Sequence, residues 1–167
     1  MVLGLDLTTF TRLHVIISLI GIAAGLVAMI GLLISRSLPG WTALFLATTI
    51  LTSATGFLFP FAQLLPSHIV GIISLVLLAA AAVALYGGRL SGAWRPVYVV
   101  SALLSLYLNV FVLVVQLFQK VTVLRDLAPN QNEPPFLAAQ GVTLLFFVVV
   151  IVAALRRYHP NPNYARA

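Results

Sequence analysis

The sequence predicts an all-α integral membrane protein, a single transmembrane domain over residues 1–167 built as a bundle of five helices. Hydrophobic residues make up 62% of the chain and charged residues only 7%, whereas soluble domains carry about 25% charged residues. The mean hydropathy is +1.13, and a soluble chain of this length could not bury so much apolar surface. Lipid is therefore the expected solvent for most of the chain.

Five apolar runs define the predicted spans. In order they are Leu13–Ile34, Trp41–Phe59, Ile69–Tyr86, Val97–Phe118 and Leu137–Leu155. Each approaches or exceeds the roughly 20 residues that a helix needs to cross the hydrocarbon core. Strands of a membrane barrel would alternate polar and apolar residues, and these runs do not. An outer loop over residues 121–136 and a cytoplasmic tail over residues 156–167 complete the predicted organisation.

The distribution of charge predicts which way the bundle faces. One side carries six basic residues and no acid: Arg36, Arg89, Arg95, Arg156, Arg157 and Arg166. The other carries three basic and three acidic residues: Arg12, Lys120, Arg125, Asp6, Asp126 and Glu133. Because cytoplasmic loops are enriched in Lys and Arg, the N-terminus is predicted outside and the C-terminus inside. An aromatic belt is predicted at the same inner boundary: Trp41, Tyr86, Trp94, Tyr98 and Tyr158.

Several classes of function lack the residues they require. The net charge of +6 is scattered over the segment ends, without the basic stripe that nucleic-acid binding needs. The absence of cysteine excludes disulfides and thiolate metal sites. The predicted spans hold no Asp or Glu, and no hydrolase or phosphate-loop motif occurs. The sequence therefore favours a protein that is not an enzyme.

Two helical faces are predicted to pack inside the bundle. Gly21 and Gly25 in the first span form a small-xxx-small pair of the kind that lets helices approach closely. In the fourth span a polar stripe lies within an arc of about 100°, formed by Tyr98, Ser101, Ser105, Asn109, Gln116 and Lys120. Unpaired amides are costly in hydrocarbon, so this stripe should face protein, or a cleft that opens outward.

His14 and His68 are the residues most able to carry chemistry. Both lie at the start of spans that begin outside, so both imidazoles are expected near the outer surface. The candidate ligand-binding set is completed by nearby polar side chains: Asn109, Gln116, Lys120 and Gln140. Two histidines on different helices could ligate a b-type haem or bind a quinone, while the identity of any metal is left open. The structural alternative is that each imidazole sits at the interface with its polar tip in water.

Two hypotheses for function follow. The first is an accessory or interaction subunit in the lipid bilayer, associating with other membrane subunits or with itself through small-residue faces. The second is a redox or ligand-binding module at the outer surface that uses His14 and His68 to hold haem b or a quinone.

Two stretches also resemble a known group of proteins. They comprise Thr55-Gly-Phe-Leu-Phe-Pro-Phe61 with Pro66-Ser-His-Ile-Val-Gly71, and Tyr107–Gln116 with Leu127-Ala-Pro and Glu133-Pro-Pro-Phe136. Together they resemble small, uncharacterised bacterial inner-membrane proteins, over roughly His14 to Arg157. The resemblance implies five spans and a location in the bacterial inner membrane, and it brings no activity.

Overall fold

The predicted helical fold class is confirmed. The computed structural model describes residue 2, residues 4–59 and residues 66–160, with residues 66 and 67 described by backbone alone, so the end of the predicted tail, including Arg166, lies outside the described residues. Across the described part the chain forms helices and no β-strand: α1 (Leu7–Leu33), α2 (Pro39–Gly56), α3 (Pro66–Ala82), α4 (Trp94–Lys120), α5 (Thr122–Leu127) and α6 (Pro134–Arg157). A π-helical turn over Val83–Gly87 extends α3.

Local signals set the helix ends. Asp6 caps α1 by accepting a hydrogen bond from the Thr9 amide at 3.0 Å, which satisfies one of the free donors of the first turn. Pro39 and Pro134 stand in the first turns of α2 and α6, where the missing proline N–H costs nothing. Ser35 follows α1 with φ +56°, and this left-handed residue turns the chain toward α2.

Four helices are long and apolar enough to cross a membrane: Leu7–Leu33, His68–Gly87, Trp94–Lys120 and Pro134–Arg157. They coincide with the first, third, fourth and fifth predicted spans, so the structure is that of a multi-pass membrane protein. Helix α2 is not among them. Its 18 residues include five threonines and a serine, and these hydroxyl side chains lower its average apolarity.

Helices α1 and α2 form an antiparallel pair. Contacts run in opposite order along the two helices: Gly31 lies against Leu38, Gly25 against Phe45 and Gly21 against Thr48. The glycine pair of α1 therefore faces α2, and the predicted close packing is confirmed. Leu106 of α4 also reaches Gly25, so three helices meet at this position.

The most deeply buried side chains centre on α4. Leu78 of α3 and Leu103 and Leu106 of α4 have 0–2% of their surface exposed, and the cluster extends to Phe147 of α6. Helix α4 thus occupies the middle of the bundle. This is why its polar stripe can find partners within the protein.

The two ends of the bundle are distinguished by what they contain. At the "tail end", where α1 and α6 finish, Ser37 Oγ and the Tyr158 hydroxyl lie 3.1 Å apart. The opposite "histidine end" holds His14, His68 and the connector that includes α5. Among the described residues, the two groups of charged side chains that the sequence assigned to opposite sides lie at opposite ends of the bundle.

The aromatic belt is only partly as predicted. Trp41, Tyr86 and Trp94 are 47%, 62% and 42% exposed, as interfacial anchors should be. Tyr98 and Tyr158 are 3% and 2% exposed, with ring centroids 6.3 Å apart. These two rings pack inside the tail end, so assigning them to the belt was wrong.

Candidate functional site

His14 is held against the C-terminal turn of α2. Its Nδ1 lies 2.9 Å from Thr55 Oγ1, and its ring meets Phe59 edge to face, with centroids 5.2 Å apart. Gly56 lies beside the imidazole, since a β-carbon there would make an ordinary van der Waals contact with His14 Cε1, at 3.9 Å. The side chain therefore has a hydrogen-bond partner and an aromatic neighbour within the chain.

The network around Thr55 fixes the tautomer of neutral His14. The Thr55 hydroxyl donates its only proton to backbone carbonyls, at 2.7 Å to Leu51 O and 3.2 Å to Thr52 O. Its oxygen must then accept the hydrogen bond from His14, which places a proton on Nδ1. When the imidazole is neutral, Nε2 carries the lone pair and is the atom able to accept a hydrogen bond or bind a metal.

His68 lies on the other side of the same turn. It belongs to the first turn of α3, is 5% exposed, and its ring centroid lies 5.7 Å from that of Phe57. Phe57 also packs against Gly71, where a β-carbon would fall 3.1 Å from its Cζ. The histidines thus share one end of the bundle, and each packs against residues that end α2. A haem ligated by both imidazoles would have to displace these contacts, so the residues as placed do not fit that group.

Asn109 connects α4 to α2. Its Nδ2 donates to Thr49 Oγ1 at 3.2 Å, with 9% of Asn109 and 0% of Thr49 exposed. The lower part of the stripe is equally buried, and Ser105 donates to the Ser101 carbonyl at 2.8 Å. The prediction that the stripe faces protein is confirmed from Tyr98 to Asn109.

The upper part of the stripe opens. Gln116 is half-buried and Lys120 is exposed, so burial decreases along α4 toward the histidine end. Between them Phe118 is buried, but it faces the connector cluster with Ala128 and Phe136. Water or lipid headgroups can therefore reach the last two polar residues of the stripe.

Gln140 does not join the stripe. It lies on α6, and its Nε2 donates to Phe111 O at 3.2 Å. Phe111 stands about 160° around α4 from Asn109, at about 100° per residue. Gln140 Oε1 is buried and has no hydrogen-bond partner among the described residues. Gln140 therefore bonds to α4 away from Asn109, whereas His14 and His68 pack against the end of α2, so the described contacts do not gather the six candidate residues into one cluster.

Metal binding finds no support in the described residues. Nowhere among residues 4–59 and 66–160 do three or more His, Cys, Asp or Glu side chains come together as a metal ion would need. Protein metal sites take three or four such ligands. The described residues therefore offer no candidate set of ligands for the metal ion that the sequence left open.

The connector before α6, whose prolines indicate a rigid segment, also holds side-chain hydrogen bonds that the sequence did not predict. Glu133 accepts hydrogen bonds from Asn130 N, Asn130 Nδ2 and Asn132 N at 3.1, 2.9 and 3.1 Å. Gln131, with φ +59°, donates to Val115 O at 3.0 Å. The spacing of amides before a Glu-Pro pair was the available signal, since such side chains often bond to the neighbouring backbone.

The Glu133 contacts predict a pH dependence for this connector. Partial desolvation raises the pKa of Glu133, but the hydrogen bonds from Asn130 and the nearby backbone outweigh it and hold the pKa below its ordinary value. A carboxylate with a lowered pKa stabilises the folded connector fully when the pH is above the pKa of the unfolded chain. That stabilisation is lost as the pH falls through the pKa of the folded chain. The amide NMR signals of Asn130 and Asn132 should titrate together, at a pH below the usual range for a glutamate carboxyl. Glu133→Gln should remove the titration, and an unchanged titration in that variant would contradict the assignment.

The tail end carries a second network that sequence patterns did not reveal. Arg95 Nη1 donates to Tyr158 O at 2.6 Å and to Leu155 O at 3.3 Å, covering carbonyls that the end of α6 leaves free. Ser35 Oγ donates to His159 O at 3.3 Å and accepts from His159 N at 2.9 Å. These contacts join the exit of α6 to the connector between α1 and α2.

Comparison with family models, curated proteins and solved structures finds no match to this chain.

Proposed function

We propose that the chain is a five-span membrane protein, N-terminus outside, that serves as an accessory or interaction subunit of a larger complex in the bacterial inner membrane. The observation that carries this proposal is the apolar ridge of α6. Its members point away from the bundle, with Val142, Leu145 and Val149 exposed to 69%, 65% and 59%. Only 17% of the most apolar stretch of α6 is buried, against 44% for α1 and α4.

The ridge suits another helix. Beside it Gly141 has nothing within 4 Å of the position of a β-carbon, so a second backbone could come close, and close approach is what drives helix association in lipid. Two of the candidate polar side chains are meanwhile engaged within the chain, His14 by Thr55 and Asn109 by Thr49. The free surface, more than the interior, is therefore where this protein can act.

Crosslinking from a single introduced cysteine tests the proposal, because the chain has no cysteine of its own. Leu145→Cys on the ridge, labelled with a maleimide that carries a photocrosslinking group, should form a crosslinked product on irradiation in native membranes. Val76→Cys on α3, with Val76 64% exposed, is the matched control and should form none. A product of twice the chain mass indicates self-association, and a heavier or lighter one indicates a different subunit. Absence of any product, or equal products from both variants, would refute the interaction role.

The membrane placement of α2 is supported by its partner and by its hydroxyls. It runs antiparallel to α1 over its length, and 18 residues at 1.5 Å each give about 27 Å, close to the roughly 30 Å of the hydrocarbon core. Thr48, Thr52 and Thr55 donate to carbonyls four residues earlier, at 2.6, 2.9 and 2.7 Å. These internal bonds reduce the cost of placing the hydroxyls in lipid.

Labelling the two ends of α2 decides between five spans and four. Gly40→Cys should react with a membrane-impermeant maleimide only from the cytoplasmic side, and Leu58→Cys only from the outside. Both positions are exposed, so reactivity should report sidedness and not burial. Labelling of both cysteines from one side would show that α2 does not cross the membrane. Labelling of Gly40→Cys from the outside and of Leu58→Cys from the cytoplasm would show that the orientation is the opposite of the one proposed.

A redox or ligand-binding role is the second candidate, and one observation favours it. Thr55 fixes the proton of neutral His14 on Nδ1, an arrangement that commonly orients ligating imidazoles. The free Nε2 lone pair suits the hydroxyl of a quinol, and not the carbonyl of a quinone. Purified protein should therefore bind a quinol analogue, and His14→Ala should weaken that binding. Quinol binding that His14→Ala leaves unchanged, or no quinol binding at all, would exclude this role.

A further inference from the structure

The arginines at the tail end have no acidic partner within the described chain. Arg36, Arg89, Arg156 and Arg157 are exposed, and Asp6, Asp126 and Glu133 all lie at the opposite end. The ion pair found among residues 4–59 and 66–160 is Arg125–Asp126 at 3.9 Å, which also belongs to the histidine end. Within the described residues the tail end is thus a cationic surface that no acidic side chain neutralises.

The reciprocal bonds between Ser35 and His159 join two chain segments that each carry one of these arginines. Ser35 Oγ contacts both the backbone N and O of His159, at 2.9 and 3.3 Å. Arg36 is the next residue after Ser35, and Arg157 stands two residues before His159, whose Nδ1 lies 3.2 Å from Arg157 O. Arg36 and Arg157 therefore flank a junction that hydrogen bonds hold together.

Arg95 removes a competing interaction at this junction. Exposed arginines near a helix C-terminus would ordinarily interact with its free carbonyls and the negative end of its dipole. Here Arg95 already donates to Tyr158 O and Leu155 O, at 2.6 and 3.3 Å. Arg36 and Arg157 are left to bind an anion from outside the chain.

The surroundings indicate what that anion is. Trp41 and Trp94 are 47% and 42% exposed at the same end, and such residues sit at the level of lipid headgroups. Ile34, beside Ser35, is 56% exposed and offers an apolar surface to an acyl chain. Guanidinium groups bind phosphate oxygens through paired N–H donors.

We propose that Arg36 and Arg157, held by the Ser35–His159 junction, bind the phosphate of an anionic phospholipid headgroup. The lipid would lie against the junction between α1 and α6 and would stabilise the contact between the two helices. This site goes beyond the accessory role and does not depend on it, because it requires only that the chain lies in a bilayer.

Thermal unfolding of the full chain in lipid nanodiscs tests the site. Nanodiscs of phosphatidylcholine with phosphatidylglycerol should raise the unfolding temperature above that in phosphatidylcholine alone. The double variant Arg36→Gln, Arg157→Gln should lose most of this rise, and the control Arg125→Gln should keep it. A rise that the double variant retains, or no rise in the original chain, would overturn the proposal.

Two further measurements keep the proposal testable if the double variant folds poorly. Native mass spectrometry of the original chain and of the single variant Arg36→Gln should show fewer retained phosphatidylglycerol molecules on the variant. Inorganic phosphate added in neutral detergent should leave the unfolding temperature unchanged. Equal lipid retention by both chains, or the same stabilisation by free phosphate, would rule out a phospholipid site here.

Discussion

Replacing Gly25 with alanine is expected to destabilise the bundle by about 1–3 kcal/mol, the range for overpacking a filled core. The new β-carbon would fall 2.6 Å from Leu106 Cδ1 and 2.8 Å from Phe45 Cδ2. Neither neighbour has space to move aside, because Phe45 and Leu106 are only 3% and 1% exposed. Gly25→Val should cost more, since its branched side chain is larger at the same contact.

Reversible unfolding in mixed micelles measures this effect, and Gly141→Ala is the matched control. Gly141 is also a helical glycine, but nothing lies within 4 Å of its β-carbon position. Alanine there should be neutral or slightly stabilising, because glycine is the poorer helix former by about 1 kcal/mol. If Gly25→Ala and Gly141→Ala had the same stability, the close packing of α1, α2 and α4 would be contradicted.

The contrast between these glycines shows what the sequence could predict about packing. The Gly21-xxx-Gly25 spacing correctly indicated a close helix contact, because only small residues let backbones approach. Its partner could not be predicted, since several helices could have covered that face. Gly25 in fact meets two of them, through Phe45 of α2 and Leu106 of α4.

Helix α2 shows that average apolarity takes no account of hydrogen bonds within the folded chain. Its threonines lower the average, yet Thr48, Thr52 and Thr55 donate to carbonyls of their own helix. Thr49 is fully buried against α4. A hydropathy value counts the cost of moving an unpaired hydroxyl out of water, whereas the folded chain supplies each of these hydroxyls with a hydrogen-bond partner. The sequence prediction of a span here rested on the length of the apolar run and on the turn residues that bound it. Neither depends on the cost of placing hydroxyls in lipid.

Part of the arrangement of the candidate site followed from the sequence. Position along a helix gives the end at which a side chain lies, and His14 and His68 do lie at the same end of the bundle. Their depth in a membrane stays a prediction. Position along a helix does not reveal which helices pack against each other. The rings of Phe57 and Phe59, just after α2, pack against His68 and His14. Gln140 of α6 donates instead to the Phe111 carbonyl of α4.

Asn109→Leu is expected to destabilise the bundle by about 2–4 kcal/mol. An interhelical hydrogen bond in a membrane contributes about 0.6–2 kcal/mol, and the larger leucine adds strain at a site that is 9% exposed. Gln140→Met is the matched control. It removes one bond to Phe111 O but also removes the buried Oε1 that lacks a partner, so its net cost should be below about 1 kcal/mol.

A double-mutant cycle with Thr49→Val shows whether the hydrogen bond itself matters. Asn109 Nδ2 donates to Thr49 Oγ1 at 3.2 Å, so Asn109→Leu and Thr49→Val each remove the same bond. Their combined cost should therefore be smaller than the sum of the separate costs, because the second substitution has no bond left to break. Strict additivity would mean that α4 is held by packing alone. The polar stripe would then be a consequence of where α4 lies and not one of the reasons it lies there.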